Sequence, residues 1–324
     1  MSNQIFAYIT HHAGAADDTA LELITAAKKI DPEAQVTAVV CGSGSELDSV
    51  CQEVAAAYPS VWKIDNPDVA YPNAEALRGL LTNVLPKEGI VLLPHDTFGM
   101  DLGPGLSVKL DSAYVTDVVD IEGADGDTLK TVRQEFGGQV YTHVNCDIAS
   151  GAVITVRPGV FPAEESASAS GQVEDKSSEA GSVQAKRKFL EVLEAEIGDV
   201  DITKEDVLVS IGRGIGEEDN LEVAQELAEA MGGVIACSRP IVDAKWMEKG
   251  RQVGTSGKTV KPKVYLALGI SGSFQHMGGV KGNPFIVAVN NNPKAPIFQV
   301  ADVGVVEDLM DFAPELTEKV GEMK

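Results

Sequence analysis

The chain contains VGTSGKT at residues 253 to 259, KVYLALGI at 263 to 270 and SGSFQHMGG at 271 to 279. The middle segment is an apolar run between Lys-Pro and Ser-Gly, which predicts a strand buried on both faces and central in a parallel sheet. The strand is followed by residues that let the backbone turn sharply: Gly269, Ser271, Gly272 and Ser273. Such a turn points several N–H groups outward at the start of the next helix and predicts an anion site.

The next segment repeats this design. Residues 285 to 290, FIVAVN, predict a second buried strand that ends in asparagines and Pro293. Ligands of open parallel sheets lie at such carboxyl ends of strands. The chain then runs into a final helix with apolar residues at helical spacing, namely Leu309, Phe312, Leu316 and Val320. From the residues alone, the predicted ligand is a phosphate-bearing nucleotide or dinucleotide.

Residues 269 to 316, GISGSFQHMGGVKGNPFIVAVNNNPKAPIFQVADVGVVEDLMDFAPEL, resemble the signature region of the α subunit of electron-transfer flavoproteins. The resemblance extends through GRGIG at 212 to 216 and CSRPIVDA at 237 to 244, and in outline over the whole chain. It implies a Rossmann-like FAD-binding domain in an electron carrier that has no organic substrate of its own.

The resemblance also implies a set of FAD contacts. Arg213 and Arg239 would line the site as cations, with Arg239 against the isoalloxazine ring. The Ser256 hydroxyl would bond near N5 of the ring, and His276 would place a cation near N1 and C2=O, which favours the reduced, anionic flavin. Within the set, Ser271, Gly272 and Gln275 would hold the ribityl chain and phosphate, and Asn290 and Asp308 the adenosine half. The whole predicted set is Arg213, Ser238, Arg239, Gln252, Val253, Gly254, Thr255, Ser256, Ser271, Gly272, Gln275, His276, Asn290, Asp308 and Leu309.

The implied partners are a β subunit, an acyl-CoA dehydrogenase such as butyryl-CoA dehydrogenase, and ferredoxin or flavodoxin. The β subunit would complete a heterodimer and hold a second FAD or an AMP. Residues 250 to 262, GRQVGTSGKTVKP, resemble the electron-bifurcating branch of the family, in which the β-subunit flavin takes a hydride from NADH. Arg251 and Lys258 would add positive charge around the loop that bears Ser256.

Composition limits the classes of function. A length of 324 residues predicts two domains. Lys plus Arg number 26 against 49 Asp plus Glu, a net charge of −23 that repels nucleic acid and anionic lipid. No apolar run is long enough for a membrane helix, and the N-terminus lacks a basic leader, so a cytoplasmic protein is expected. The four cysteines have no C-x-x-C spacing and predict buried, reduced thiols.

The first half alternates apolar runs with helical patterns, which predicts a parallel sheet with helices on both faces. Period-2 runs between residues 113 and 158 predict further strands of the same sheet. The expected architecture is α/β, with two domains that are each a mainly parallel sheet with flanking helices. Residues 1 to 198 would form a nucleotide-binding-like domain that packs on the β subunit, and residues 199 to 324 the FAD-binding domain.

The segment between the two halves is poor in large apolar residues. Residues 162 to 184 are rich in Ala, Ser, Glu and Gly, which predicts a long surface excursion. Residues 185 to 197 have a helical composition, whereas the resemblance implies an extended strand. Residues 198 to 203 are the expected hinge.

Two other functions stay open. An enzyme with an NAD-type cofactor is disfavoured, because residues 212 to 216 read G-x-G-x-G and the strand at 234 to 238 ends in Ser-Arg, where an NAD-binding unit usually carries an acidic residue. No nucleophile, base or metal cluster accompanies the loops, which favours a carrier. A non-catalytic nucleotide sensor would use the strand ends of the first half.

The remaining histidines have structural interpretations. A surface or interface role is favoured for His11 and His12 over a ligand role. His95 with Asp96 predicts a loop start with a side-chain cap. His143 lies in an alternating run and predicts a strand histidine.

Overall fold

A computed structural model describes residues 4–164, 170–191 and 200–322. The chain divides into two compact units, Met1–Glu191 and Val192–Lys324. The boundary predicted between residues 198 and 199 lies outside the described residues. Of the predicted hinge only residues 200–203 are described, and there Ile202 is buried in the core of the second unit.

The first unit is built on a nine-stranded sheet of order β11-β5-β4-β1-β6-β10-β7-β8-β9. The ladders from β11 to β7 are parallel, and β7, β8 and β9 form an antiparallel meander. The strands predicted between residues 113 and 158 do belong to this sheet, whereas their antiparallel order was not predicted. The nine strands of this sheet are β1 (Ile5–Ile9), β4 (Val36–Gly42), β5 (Ser60–Asp65), β6 (Ile90–Pro94), β7 (Ala113–Asp125), β8 (Thr128–Glu135), β9 (Val140–Asp147), β10 (Ala152–Val156) and β11 (Gln172–Asp175). The strands β2 (His11–His12) and β3 (Ala15–Ala16) form a separate small hairpin.

Helices cover both faces of this sheet. They are α1 (Thr19–Ile30), α2 (Glu46–Ala55), α3 (Ala74–Val84), α4 (Thr97–Leu110) and the short α5 (Ser177–Ala180). Alternate residues of β1 face opposite layers: Ile5 and Ile9 pack in the core with α1 and α2, whereas Phe6 and Tyr8 pack with α3 and α4. Strands buried on both faces need continuous apolar runs, which is why the sequence marks them clearly.

Two sequence expectations for residues 162–191 are wrong in their described part. Residues 172–175 form the edge strand β11 beside β5, and Ala180 is buried, so the segment joins the sheet instead of staying a surface excursion. Its backbone hydrogen bonds to β5 order it where side-chain burial is small.

Residues 185–191 form neither a helix nor a strand. The Glu75 carboxylate accepts the N–H groups of Lys186 and Arg187, and Val183 packs against Gly79 of α3. These contacts with α3 override the helical composition. The remainder of the predicted element, residues 192–197, lies outside the described residues.

The long helix α4 was not predicted. Residues 97–110 contain three glycines and Pro104, yet they form α4, because its inward face packs on β10 and β7. The cap predicted at Asp96 is confirmed, since its Oδ1 accepts the N–H of Gly99 at 2.6 Å. The four cysteines are buried thiols, as predicted. No helix in residues 4–164, 170–191 and 200–322 has the length and apolarity needed to cross a membrane.

The second unit contains a five-stranded parallel sheet. Its elements are β12 (Val207–Ile211), α6 (Leu221–Met231), β13 (Val234–Cys237), α7 (Arg239–Asp243), β14 (Val264–Leu268), α8 (Phe274–Met277), β15 (Phe285–Val289), β16 (Val303–Val305) and α9 (Leu309–Glu322). The strand order is β13-β12-β14-β15-β16, so the predicted central strand, β14, is indeed central, and it is buried. Helices α6 and α9 pack together on one face. The other face is covered by loop residues such as Val253, Val260 and Ile297.

Candidate functional site

A cleft of about 650 Å³ opens at the carboxyl ends of β12, β13, β14 and β15. Fourteen of the fifteen predicted site residues line it, on loops that follow four different strands and at the start of α9. They are Arg213, Ser238, Arg239, Gln252, Val253, Gly254, Thr255, Ser256, Ser271, Gln275, His276, Asn290, Asp308 and Leu309. The parallel sheet brings these loops together because all its strands end at the same edge.

Gly272 is the exception, since it does not line the cleft. Its backbone has φ +81°, and a Cβ there would lie 2.4 Å from the backbone nitrogen of Ile297. The neighbouring Ser271 carbonyl accepts the N–H of Ile297 at 3.0 Å. Gly272 therefore lets the Ser271 loop pack against the loop that follows β15. Its contact with the ribityl chain or phosphate stays a prediction.

The loop after α7 is fastened by buried backbone and side-chain contacts. Gln252 is only 4% exposed, and its Nε2 donates to the Ser256 hydroxyl at 2.9 Å. The N–H of Thr255 donates to the Gln275 carbonyl at 2.7 Å. Because Ser256 accepts from Gln252, its own hydroxyl hydrogen is left to donate toward the cleft.

His276 lies in the cleft wall. It is 6% exposed, and its Nε2 is 2.8 Å from the Tyr265 hydroxyl. Its Nδ1 is buried without a hydrogen bond in the described part of the chain. Burial lowers the pKa of His276 to about 4, and the backbone of Val253 opposes only part of that effect. Because burial penalises the charged form, the ring is neutral at neutral pH in the chain without flavin. The cation expected at this position beside a bound flavin stays a prediction.

The positive charge of the cleft comes from two exposed arginines. Arg239 forms an ion pair with Asp243, with Nε and Oδ2 3.3 Å apart, and Arg213 lies on the turn after β12. Arg251 and Lys258 do not line the cleft. Arg251 is half-buried and donates to the Ile235 carbonyl at 2.9 Å. Their expected contribution to the positive charge around the loop that bears Ser256 stays a prediction.

Asn290 and Asp308 hold the local backbone. The Asn290 amide donates to the Ile270 carbonyl at 2.9 Å, and its Oδ1 accepts the N–H of Asn292 at the same distance. Asp308 accepts the N–H of Met310 at 2.9 Å and so caps α9. Asp308 thus precedes the helix, and its cap holds a carboxylate at the mouth of the cleft.

Sequence reasoning missed two acidic residues in the cleft, Asp243 and Glu307. Asp243 stands four residues after Arg239 at the end of α7, a spacing that could have predicted the ion pair. Glu307 offered no such signal, because its place depends on how the chain after β16 meets the sheet.

Three histidines of the first unit contact other residues of that unit. His11 Nε2 is 2.9 Å from the Cys41 carbonyl, His95 Nδ1 is 2.9 Å from the Thr155 hydroxyl, and His143 pairs with Glu122 at 3.0 Å. A smaller cleft of about 300 Å³ lies between Thr10–Asp18 and Asp96. Among the described residues no group of three or more His, Cys, Asp or Glu could hold a metal ion.

The larger cleft has what a dinucleotide requires. Its volume falls within the range of about 300–1,000 Å³ typical of ligand sites. Its loops meet backbone to backbone at glycines, since a Cβ on Gly212 would lie 2.3 Å from the Gly269 carbonyl oxygen. Arginines suited to phosphate stand beside hydroxyl and amide groups. Fold and cleft together define the class: an α/β protein whose second unit is a Rossmann-like, dinucleotide-binding domain.

Comparison with known proteins gives the family. Residues 201–281 match the electron transfer flavoprotein FAD-binding domain, and residues 5–180 match the electron transfer flavoprotein domain. The chain is 37% identical to electron transfer flavoprotein subunit alpha of Methylophilus methylotrophus, over 97% of this chain and 98% of that one. It is 31% identical to protein FixB of Clostridium saccharobutylicum, over 98% and 96%. It is 30% identical to lactate dehydrogenase (NAD(+),ferredoxin) subunit LctC of Acetobacterium woodii, over 96% and 75%.

The chain belongs to the family of electron transfer flavoprotein α subunits, and it is a flavin-binding protein of electron transport.

Proposed function

We propose that this chain is the α subunit of a heterodimeric electron transfer flavoprotein and that it holds FAD in the cleft of its second unit. The observation that carries the proposal is the convergence of fourteen predicted contact residues on one cleft at the carboxyl edge of β14. When bound, FAD would accept electrons from one partner and release them to another.

The residues of the cleft divide into three groups by what they offer FAD. Arg213 and Arg239 offer positive charge for the pyrophosphate and for a reduced ring. Ser256, held by Gln252, offers a hydroxyl hydrogen to the ring. Ser271, Gln275 and Asp308 offer polar atoms to the ribityl chain and the adenosine half. A neutral His276 would add no charge of its own.

The cofactor can be identified directly. The chain would be purified with its β subunit and denatured, and the released cofactor separated and measured by absorbance and mass. We expect FAD in the extract. The motif evidence against an NAD-type enzyme is the Ser238-Arg239 pair at the end of β13, where an acidic residue would otherwise contact a ribose. Recovery of a nicotinamide nucleotide alone, without flavin, would contradict the proposal.

For the partners, we propose a β subunit with a second flavin, an acyl-CoA dehydrogenase, and ferredoxin or flavodoxin as the low-potential acceptor. Support comes from the sequence at residues 250 to 262 and from the similarity to LctC, whose name joins NAD(+) and ferredoxin. The test is the number of flavins per heterodimer after reconstitution with excess FAD, together with bleaching of the flavin by NADH. Two flavins are expected, and one FAD with one AMP would place the protein in the non-bifurcating class.

Arg239 and Asp243 should shift the flavin reduction potential in opposite directions. Arg239→Ala removes a positive charge from the cleft wall, and we expect the potential for the first electron to fall by about 40 mV, equivalent to about 1 kcal/mol. Asp243→Asn removes the negative partner of Arg239, so the potential should rise.

The control is Lys263→Ala, which removes one positive charge from an exposed ion pair with Asp206 at the amino end of β14, the opposite end of the sheet. Spectroelectrochemical titration of the heterodimer measures all three. If the reduction potential shifts in the same direction in both cleft variants, or by an equal amount in the control, then Arg239 and Asp243 do not act on the flavin ring through their charges.

A further inference from the structure

Tyr265 lies beneath the cleft, and its hydroxyl contacts His276 in the cleft wall. Tyr265 belongs to the central strand β14 and is fully buried, whereas His276 lies in α8 in the cleft wall. The phenol oxygen and His276 Nε2 are 2.8 Å apart, and the two rings are tilted by 50°. Tyr265 does not line the cleft, so nothing in its position gives it a direct contact with a ligand.

We propose that Tyr265 is a positioning residue for the flavin site: its hydroxyl donates to Nε2 of His276 and holds that ring as the neutral tautomer with its hydrogen on Nδ1. The chain would then present a neutral imidazole of fixed orientation to the cleft and leave the positive charge to Arg213 and Arg239.

The choice of tautomer follows from the groups around the pair. Burial raises the pKa of Tyr265 well above its ordinary value, so the phenol keeps its hydrogen, and a buried hydroxyl requires an acceptor. An unprotonated Nε2 supplies that acceptor at 2.8 Å. The hydrogen of the neutral ring then resides on Nδ1. The backbone of Val253 acts on the ring in the sense that raises its pKa, against the effect of burial.

In the competing arrangement His276 would donate from Nε2 to the phenol oxygen, and the Tyr265 hydrogen would need Ser210, a buried serine on the neighbouring strand β12, as its acceptor. The Ser210 hydroxyl makes no hydrogen bond in the described part of the chain, so the phenol hydrogen would be left without an acceptor. Nδ1 has no partner among the described residues in either arrangement and does not separate the two. Because a buried donor without an acceptor is unfavourable, the first arrangement is preferred.

The contact also links the ring to the loop of residues 252–256. Val253 acts on the His276 ring, and the next residues of its loop, Gly254 to Ser256, line the cleft. The N–H of Thr255 donates to the carbonyl of Gln275, the residue before His276. Tyr265 therefore fixes a ring on which one wall of the cleft is assembled. This consequence for a flavin rests on the proposed function, whereas the tautomer is a property of the chain itself.

The tautomer can be read by nuclear magnetic resonance on the full chain labelled with ¹⁵N-histidine at neutral pH. The His276 signals are identified as those missing from His276→Gln. We expect a protonated Nδ1 and an unprotonated Nε2 in the parent chain. In Tyr265→Phe the donor is gone, and the two nitrogen shifts should move toward each other as both tautomers become populated.

Two further variants serve as controls. Tyr58→Phe removes another buried phenol, which donates to the Ala20 carbonyl in the first unit, and it should leave the His276 shifts unchanged. Ser210→Ala removes the competing acceptor and should also leave them unchanged. A protonated Nε2 in the parent chain overturns the inference even if Tyr265→Phe fails to fold, and so does a tautomer that changes in Ser210→Ala.

Flavin binding separates this inference from the proposed function. We expect the dissociation constant of FAD to rise roughly fivefold to tenfold in Tyr265→Phe and to stay unchanged in Tyr58→Phe, the change expected for one lost neutral hydrogen bond. If the parent heterodimer binds no flavin while the Nδ1 tautomer is present, the proposed function fails and the tautomer assignment stands. Equal affinities for FAD in Tyr265→Phe and Tyr58→Phe would show that Tyr265 does not position the flavin site.

Discussion

Gly272→Ala is expected to destabilise the second unit by about 3 kcal/mol and to abolish flavin binding. The backbone of Gly272 has φ +81°, a conformation that costs an L residue about 1–2 kcal/mol. The added methyl group would also stand 2.4 Å from the backbone nitrogen and 2.5 Å from the Cα of Ile297, and such overpacking costs about 1–3 kcal/mol. Relief requires the Ser271 loop to leave the loop after β15, which opens one wall of the cleft.

Two other glycines of the same unit distinguish the cost of backbone strain from the cost of overpacking. Gly232, at the end of α6, has φ +69° but no atom within 4 Å of an added Cβ, so Gly232→Ala should cost only the backbone strain of about 1 kcal/mol. Gly250 has neither feature, and Gly250→Ala should change stability by less than about 0.5 kcal/mol. Equal losses in Gly272→Ala and Gly232→Ala would show that the contact with Ile297 contributes nothing.

Unfolding of the second unit can be followed separately. The chain has two tryptophans, Trp62 in the first unit and Trp246 packed on the core of the second. In a Trp62→Phe background, the fluorescence of Trp246 reports denaturant unfolding of the second unit, and FAD binding is measured on the same samples with the β subunit added.

Acid is expected to destabilise the second unit through His276 by about 3 kcal/mol. In an unfolded chain a histidine titrates near 6.5, whereas burial lowers the pKa of His276 in the folded chain to about 4. Between these values the unfolded state binds the proton and the folded state does not. Stability from the neutral ring is therefore complete above about pH 6.5 and is lost as the pH falls to about 4, at about 1.4 kcal/mol per pH unit.

The measurement compares the parent chain with His276→Gln across this pH range in the Trp62→Phe background. The substitution changes the free energy of unfolding at every pH. The protonation of His276 is read from how the difference in this free energy between the two chains varies with pH. We expect that difference to slope between pH 4 and 6.5 and to be flat above it. A difference that is constant over the whole range would show that His276 is protonated as readily in the folded as in the unfolded chain.

The hydrophobic patterns specified most of the fold and the location of the site. Strands buried on both faces must be continuous apolar runs, so β14 and β15 were predictable within a residue or two, and the apolar runs of the first half predicted its parallel sheet. Their loops end at one edge because the strands are parallel, and residues as far apart as Arg213 and Asp308 therefore line one cleft. The family motif added the ligand class, since spacing alone ended at a dinucleotide.

Elements held by tertiary contacts were not predictable. Residues 172–175 have no strand pattern and become a strand because β5 offers a free edge. Residues 97–110 contain glycines and a proline and become a helix because one face packs on the sheet. In both segments the element that stabilises the structure lies far away in the chain, so the local propensity of the segment does not predict its secondary structure.

The electrostatics of the site were also decided by the tertiary structure. The sequence by itself determined that His276, Arg239, Arg251 and Gly272 stand in or near the ligand loops. Only the folded chain shows that His276 is neutral, that Arg239 has an acidic partner, that Arg251 turns to the Ile235 carbonyl and that Gly272 packs against Ile297. The physical reason is that charge state and close contact depend on burial and on distances between residues that are separate in the chain, and these are set when the loops of the sheet meet.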